Sequence, residues 1–410
     1  MEVRAQADLS TKKAVVVFPD LGSGGGAEKY ALVLAVELAR LGFQTIVATA
    51  DGVAIESIGA YHGEDVSALS QLLLPQREHR PGERFVAFRD LWQERRWVRI
   101  LTQQEADLMV SAEYRLSLHG LAKKNVYLVH FPHQDPPPSS RLLNRIYTNI
   151  MRRLGGLMKT GGSDFLAGYQ TVVANSRFTA RHVLLKWGRE ASVLYPPCPP
   201  VPSGDVGKER WILSVGRFEP RRASGPHKAQ DVMVEAFRSL TDLHESGWRL
   251  VLAGTCAESG RAFVEDLKRR SGDAPVVFRT NVSQAEMNDL YARSSLYWHA
   301  QGFGTDPEID AFSQEHFGMS TVEAMSAKCV PVVYDTAGPH EVVEGVPGVG
   351  RWTDVAGLLS ETRRIAGLDD RERMIVGEVC MRRAKSFSRD AFRKGLINIL
   401  EIAGGQAADA

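Results

Sequence analysis

Cysteine is scarce in this chain: 410 residues contain four, Cys198, Cys256, Cys329 and Cys380, with no C-x-x-C pair and none beside a histidine at ligand spacing. That scarcity argues against a disulfide scaffold or a zinc site, and the four read as reduced, mostly buried thiols. Long apolar runs are missing as well. No segment approaches the roughly 18 consecutive apolar residues of a membrane span. The start, "MEVRAQADLSTKK", has no apolar stretch of the signal-peptide kind, so the expected compartment is the cytoplasm. Neither sign of charge dominates, since 50 Lys+Arg against 49 Asp+Glu leave a formal net charge of +1. Such a balance gives no general attraction for nucleic acid, and no nucleic-acid partner is expected.

What is present is the composition of an ordinary globular protein, 44% hydrophobic and 24% charged. At this length one core gives way to about two domains. Apolar runs of strand length alternate with helical patterns throughout: "KAVVVF", "QTIVATA", "DLMVSA", "NVYLVH" and "TVVAN", then "RWILSVG", "RLVLAG", "APVVFR", "LYWHA" and "VPVVYD". Runs apolar on both faces indicate parallel strands covered by helices on each side, so the expected fold class is α/β, with two doubly wound, Rossmann-like domains. Five prolines in 196–202 forbid a helix there and mark the linker. The expected division is 1–200, 201–385, and a C-terminal helix and tail, 386–410, capped by Ser388 and packing back on the first domain.

Several stretches carry chemistry. In "PDLGSGGGAEKY", Gly22, Gly24 and Ala27 fit the G-x-G-x-x-[GA] fingerprint of dinucleotide binding, and Asp51 closes the next strand-like run about where an acid meets a ribose diol. On these residues alone a nicotinamide-dependent dehydrogenase or epimerase stays open. Arg77, Arg80, Arg84, Arg89, Arg95, Arg96 and Arg99, interleaved with Trp92 and Trp97, and a second cluster of Arg141, Arg145, Arg152, Arg153 and Lys159, are either a surface for anionic lipid or a phosphorylated acceptor, or a solvated helical face. His130, His133 and Asp135 raise the question of a metal, against which a proline stands between the histidines. Asp306, Glu308 and Asp310 read as a solvated acidic loop rather than a gate.

The richest stretch is "QEHFGMSTVEAMSAKCVPVVYDTAGPHE", residues 314–341. Glu315 and Glu323 stand eight positions apart around Gly318, with a helix expected from about Met319. A loop feeding a helix N-terminus presents backbone N–H groups to a phosphate. Acids on either side would repel that phosphate unless they accept hydrogen bonds from sugar hydroxyls, which suggests a diphosphate carrying a sugar at each end.

This E-x₇-E pattern in "EHFGMSTVEAM" resembles the retaining glycosyltransferases of family 4, which have the two-domain GT-B fold. The resemblance implies that Glu315 contacts the donor sugar, that Glu323 binds the ribose, and that backbone amides around His316, Phe317, Gly318 and Met319 hold the phosphates. It further implies that Arg217 and Lys228 in "SVGRFEPRRASGPHKAQ" contact the diphosphate and that Thr280, Asn281 and Val282 lie near the base. His130 in "VYLVHFPH" matches the active-site histidine, and "VVANSRFTA" the last strand and helix start of the first domain, at Asn175, Ser176 and Arg177. The loop of Gly24, Gly25 and Gly26 then faces donor phosphate or acceptor across an interdomain cleft. The first domain becomes the acceptor side and the second the nucleotide-sugar side. No metal and no cofactor beyond the nucleotide-sugar co-substrate is required. "EHFG", "VEAM" and "GPHEVV" are similar to mannosyltransferases acting on lipid-linked oligosaccharides, which leans the donor towards GDP-mannose over a UDP-sugar; a soluble acceptor, or a nucleotide-sugar-binding protein without turnover, are the alternatives. Three departures stand out: Lys328 and Ala229 where glycine is usual, and a long 217–228 loop that leaves open whether Arg217, Arg221 or Arg222 meets the phosphate.

Overall fold

The computed structural model describes residues 12–405 apart from 24, 77–85, 113–117, 133–149, 151–152, 155–164, 203–205 and 222–224. It divides into two compact units, the first formed by the described residues of Met1–Asn175, Thr179–Leu194 and Arg393–Ala410, the second by those of Ser176–Phe178 and Tyr195–Phe392.

The first unit is built on seven strands: β1 (Lys13–Val17), β2 (Gln44–Thr49), β3 (Leu69–Leu73), β4 (Leu108–Ser111), β5 (Lys124–Val129), β6 (Thr171–Ala174) and β7 (Ser192–Val193). They lie in the order β3-β2-β1-β4-β5-β6-β7, every pairing parallel. The second unit has six: β8 (Glu209–Val215), β9 (Arg249–Gly254), β10 (Val276–Thr280), β11 (Ser294–His299), β12 (Val330–Tyr334) and β13 (Gly350–Trp352), in the order β10-β9-β8-β11-β12-β13, again all parallel. The ten apolar runs of the sequence are ten of these strands. The three it did not mark, β3, β7 and β13, lie at sheet edges: β3 has no fully buried residue, and β7 and β13 are only two and three residues long.

Each sheet starts at an inner strand, runs to one edge and returns to fill the other side. The reversal falls between β1 and β4 and between β8 and β11. There the following helices diverge to opposite faces, leaving a crevice at the carboxyl ends of the strands, the general ligand site of open α/β sheets.

The proline-rich stretch holds no helix or strand, as expected, and is fastened to the second unit: Cys198 N–H donates to the Phe387 carbonyl at 2.8 Å and Val201 N–H to Ser326 Oγ at 3.0 Å. A helix runs over Arg389–Gly405, with Ser388 Oγ accepting from the Ala391 amide at 3.3 Å. Its Arg393 donates to the fully buried Glu37 at 2.6 Å within the first unit. All four cysteines are free thiols, three of them buried.

His130 stands at the carboxyl end of β5, 2% exposed, with the Phe18 and Tyr30 rings edge-on at 6.0 and 5.9 Å. Its Nε2 lies 2.7 Å from the Ala112 carbonyl, which can only accept, so Nε2 carries the proton. Its own carbonyl accepts from Asn175 Nδ2 at 3.0 Å, so the residue stitches the ends of β4, β5 and β6. Burial lowers its pKa to about 4 despite the Ala112 bond, and the ring is neutral at pH 7. The unfolded chain binds a proton here below pH ~6.5 while the folded chain does not until about pH 4, so this residue's contribution to stability falls as pH drops through that window, by about 1.4 kcal/mol per unit at most. Urea unfolding of the wild type and of His130→Gln, which keeps a donor for Ala112 without a titrating group, checks this: the wild type should lose about 2 kcal/mol relative to the variant between pH 7.5 and pH 5. Parallel pH profiles would show that the ring already charges in the folded state.

Candidate functional site

The second unit's crevice is assembled from the loops that leave β8 and β11. Gly216 follows β8 directly, and a Cβ on it would meet Lys228 Cγ at 2.5 Å; only glycine lets the lysine stem lie across the backbone. Ala229 then adopts φ 52° and opens the helix Gln230–Arg238. This is the left-handed region where the resemblance expects glycine, and alanine holds it at a cost of roughly 1–2 kcal/mol.

Lys228 Nζ donates to Glu315 Oε2 at 2.6 Å, with 30% and 18% of the two side chains exposed. Burial alone would push the Glu315 carboxyl up; Lys228 and His299 outweigh it and hold the pKa at about 2. The two residues to which the resemblance gives the diphosphate and the donor sugar are thus in direct contact with each other. Beyond Glu315 the chain turns at Gly318, φ 100°, which caps the helix Met319–Ser326 and accepts from the Thr321 and Val322 amides. Phe317 is 3% exposed and packs against Tyr195 and Phe387, so it offers the site its backbone and not its ring. The His316 ring is stacked on Phe178, at 18° and 6.4 Å. Glu323, one turn into the helix, accepts from the Tyr291 hydroxyl at 2.9 Å, and Tyr297 donates to Ser320 at 2.7 Å.

Sequence reasoning missed a further set. His299 ends β11 with 4% of its side chain exposed and lies 4.0 Å from Glu315 Oε2, too far for a hydrogen bond. Neither of its ring nitrogens, neither of those of His227, nor Gln230 Oε1 or Thr321 Oγ1 has a partner, though all are buried. Buried polar atoms are ordinarily paired, so these orphans on the segments flanking the Lys228–Glu315 pair are groups that a bound ligand or water could satisfy. Only position could have revealed them: His227 precedes Lys228, and "LYWHA" read simply as a strand.

Other expectations are refined. The Arg217 guanidinium is solvent-exposed, 3.9 Å from Glu219, while Arg221 donates to the Phe303 carbonyl at 3.0 Å; of the three arginines, Arg217 keeps its head nearest to uncommitted and Arg222 lies outside the described residues. Asn281, φ 55°, uses its side chain to clasp Cys256, accepting from its amide at 2.8 Å and donating to its carbonyl at 3.0 Å. Lys328, φ 64°, occupies the left-handed position after the helix and reaches Glu378 at 3.8 Å.

In the first unit Gly25 precedes the helix Gly26–Arg40, and Gly24 lies outside the described residues. Asp51 accepts from the Gly22 amide with one oxygen and from the Val53 amide with the other, so its carboxylate ties the loop after β1 to the loop after β2. His133 and Asp135 lie outside the described residues, among which no group of three or more His, Cys, Asp or Glu could hold a metal ion. Asp306 and Asp310 fold their own loop, accepting from the Glu308 amide and the Ser313 hydroxyl, and Ile309 there is 86% exposed. Arg77, Arg80, Arg84, Arg141, Arg145, Arg152 and Lys159 are outside the described residues. On the helix Val86–Thr102, Trp97 is buried and donates to the Pro75 carbonyl, whereas Trp92 is 48% exposed beside the exposed Arg95, Arg96 and Arg99. No described helix is long and apolar enough to cross a membrane.

The family described as Glycosyltransferase Family 4 matches residues 24–200, and that described as Glycosyl transferases group 1 matches 201–350. Among relatives is the GDP-Man:Man(3)GlcNAc(2)-PP-Dol alpha-1,2-mannosyltransferase of Homo sapiens, 27% identical over 210 residues, or 47% of this chain and 38% of the relative. Its counterpart in Candida glabrata is 28% identical over 236 residues, 52% of this chain and 41% of the relative. The match thus spans about two fifths of these proteins. Solved structures include a glycosyltransferase from Rickettsia africae, TM-score 0.67 and 16% identity over 96% of this chain and 99% of that one. Another is Anabaena HepE in complex with UDP and glucose, TM-score 0.61 and 16% identity over 95% and 99%. The fold these share is GT-B, with two Rossmann-like α/β domains. On the two family matches, which together run from residue 24 to residue 350, and on the E-x₇-E, lysine and glycine positions described above, the chain belongs to the family 4 glycosyltransferases.

Proposed function

We propose that this chain is a retaining hexosyltransferase that moves a sugar from a nucleotide-sugar donor to an acceptor hydroxyl, with GDP-mannose the favoured donor and a lipid-linked saccharide the favoured acceptor. The observation that carries this reading is the Lys228–Glu315 pair at the carboxyl end of β8 and β11, with unpartnered buried polar atoms on either side of it and a helix start bearing Glu323 next in the chain. A diphosphate fits the Gly318–Met319 turn, Arg217 and Lys228; a ribose fits Glu323; the hexose fits Glu315.

Transfer requires an oxocarbenium-like centre and a diphosphate leaving group, so fixed positive charge and amide dipoles supply most of the acceleration. Charge-assisted bonds from Arg217 and Lys228, at about 1.5–3 kcal/mol each, neutralise the leaving group without a metal in this mechanism. The leaving phosphate takes the acceptor proton on the same face, retaining configuration, and Glu315 orients the sugar rather than attacking it. His130 stays neutral and orients the acceptor side with the Gly25–Gly26 turn. The names of the relatives support GDP-mannose and a lipid-linked acceptor.

A lipid-linked acceptor calls for peripheral contact with an anionic membrane at its cytoplasmic face, and Trp92 with Arg95, Arg96 and Arg99 is the surface proposed for it, at about 1 kcal/mol per cation. Co-sedimentation with vesicles containing 30% phosphatidylserine should fall severalfold for the variant Trp92→Ala/Arg95→Ala/Arg96→Ala and with rising salt; equal sedimentation of both proteins would refute membrane contact through this helix.

Thermal melting with GDP, UDP, ADP or NAD at millimolar concentration tests the donor site. Stabilisation of a few degrees by GDP, unchanged by EDTA, is expected, since a hundredfold excess over Kd contributes about 2.7 kcal/mol. Stabilisation by NAD alone would restore the dinucleotide reading. Glu323→Gln should mainly weaken donor binding, roughly tenfold for a lost charge-assisted bond, and Arg217→Ala should mainly lower kcat. Unchanged donor-hydrolysis kinetics in both variants would remove these residues from the site.

A further inference from the structure

We infer that His299 is a positioning residue: it takes over the Glu315 carboxylate as a neutral hydrogen-bond donor when Lys228 turns to the donor's diphosphate. This rests on the donor-site reading given above. As the structure stands, Glu315 Oε2 has two nitrogens facing it, Lys228 Nζ at 2.6 Å and His299 Nε2 at 4.0 Å. Lys228 is a long side chain running over a glycine, with 30% of it exposed, and four rotatable bonds let its ammonium exchange one partner for another. His299 is the opposite: fixed on the inner strand β11, paired on both sides by β8 and β12, and 4% exposed.

A diphosphate beside Lys228 competes with Glu315 for one ammonium. If the lysine leaves, a carboxylate that is only 18% exposed loses its partner, and an unpaired charge in that position is costly. The imidazole removes that penalty. Both its nitrogens are buried without a partner, a state with no gain unless a partner arrives, and a shift of about 1 Å brings Nε2 within bonding distance of the carboxylate. Glu315 is the mobile member, since its side chain is released as Lys228 departs. The exchange of an ammonium for a neutral N–H donor matters for recognition. Glu315 keeps its negative charge and a fixed orientation, so it can accept from a sugar hydroxyl while the positive charge goes to the leaving group. His299 therefore acts on the sugar through Glu315 and contributes little to the nucleotide itself.

Calorimetry on the full chain separates these effects by comparing GDP with GDP-mannose, and UDP with UDP-glucose, for each variant. His299→Leu should weaken the nucleotide sugar about tenfold and leave the bare nucleotide within twofold. His299→Gln, which restores a donor, should recover most of the loss. In a Glu315→Gln background, His299→Leu should cost less than a further twofold. Equal weakening of nucleotide and nucleotide sugar, an undiminished effect in the Glu315→Gln background, or no effect at all would each overturn the role of His299; should His299→Leu fail to fold, the His299→Gln variant paired with Glu315→Gln decides by the same coupling. Absence of any nucleotide binding by the wild type is a separate result, which overturns the donor site and the inference with it.

Discussion

The salt bridge between Lys228 and Glu315 is the constraint around which the second unit's crevice is arranged. Neither charge is free in water, burial works against the carboxylate, and a hydrophobic pair of the same size would hold the loops at least as well. The pair is therefore better understood as a stored arrangement than as a source of stability. It keeps the carboxylate ionised, with a pKa of about 2, at the carboxyl end of a parallel sheet where the strand order reverses. Its geometry depends in turn on the glycine before it, because any side chain at 216 would occupy the path of the lysine stem. A sheet topology, a missing Cβ and an ion pair are thus one chain of dependence.

Much of this was legible in the sequence because it follows from periodicity and from charged residues at fixed spacing. Ten strands and the all-parallel architecture needed only apolar runs, and the Ser388 cap only a serine ahead of a helical pattern; Lys228 entered through the family resemblance, and its ion pair with Glu315 is a finding of the structure. What escaped has physical reasons. Edge strands such as β3 bury too little to imprint a pattern. His299 and His227 are single residues whose meaning lies in having no partner, a three-dimensional property that no spacing encodes. Asn281 was assigned by resemblance to the neighbourhood of the base, and its side chain is taken up by Cys256 across a gap of 25 residues.

The glycine loop of the first unit shows how one motif supports two readings until its partners are known. G-x-G-x-x-A with a downstream acid fits a nicotinamide site on spacing alone. In the fold the acid, Asp51, points back to the Gly22 amide and the Val53 amide. A carboxylate held on both oxygens by backbone amides has a structural role that the spacing alone did not show, and the glycine loop is one of the two loops it joins. His130, at the end of β5 in the same sheet, is likewise bound through Nε2 and neutral, which suits fixed orientation more than proton transfer.

The distribution of backbone strain joins these observations. Of the five non-glycine residues with positive φ among the described residues, Ala229, Asn281 and Ala337 all follow strands of the second sheet, β8, β10 and β12, at their carboxyl ends. Lys328 lies at the opposite end, before β12, and Glu105 belongs to the first unit. Left-handed conformations cost alanine, in particular, more than glycine, and they persist only where surrounding contacts outvote them. At Asn281 the contacts are the two bonds to Cys256; at Ala229 they are the Lys228–Glu315 pair on one side and Gln230 Nε2 bonded to the Arg217 carbonyl on the other. The consequence is directional. Alanine by itself favours other backbone regions, so the left-handed turn ahead of the helix Gln230–Arg238 is held by those two contacts, and a donor that draws the ammonium away from Glu315 would remove one of them.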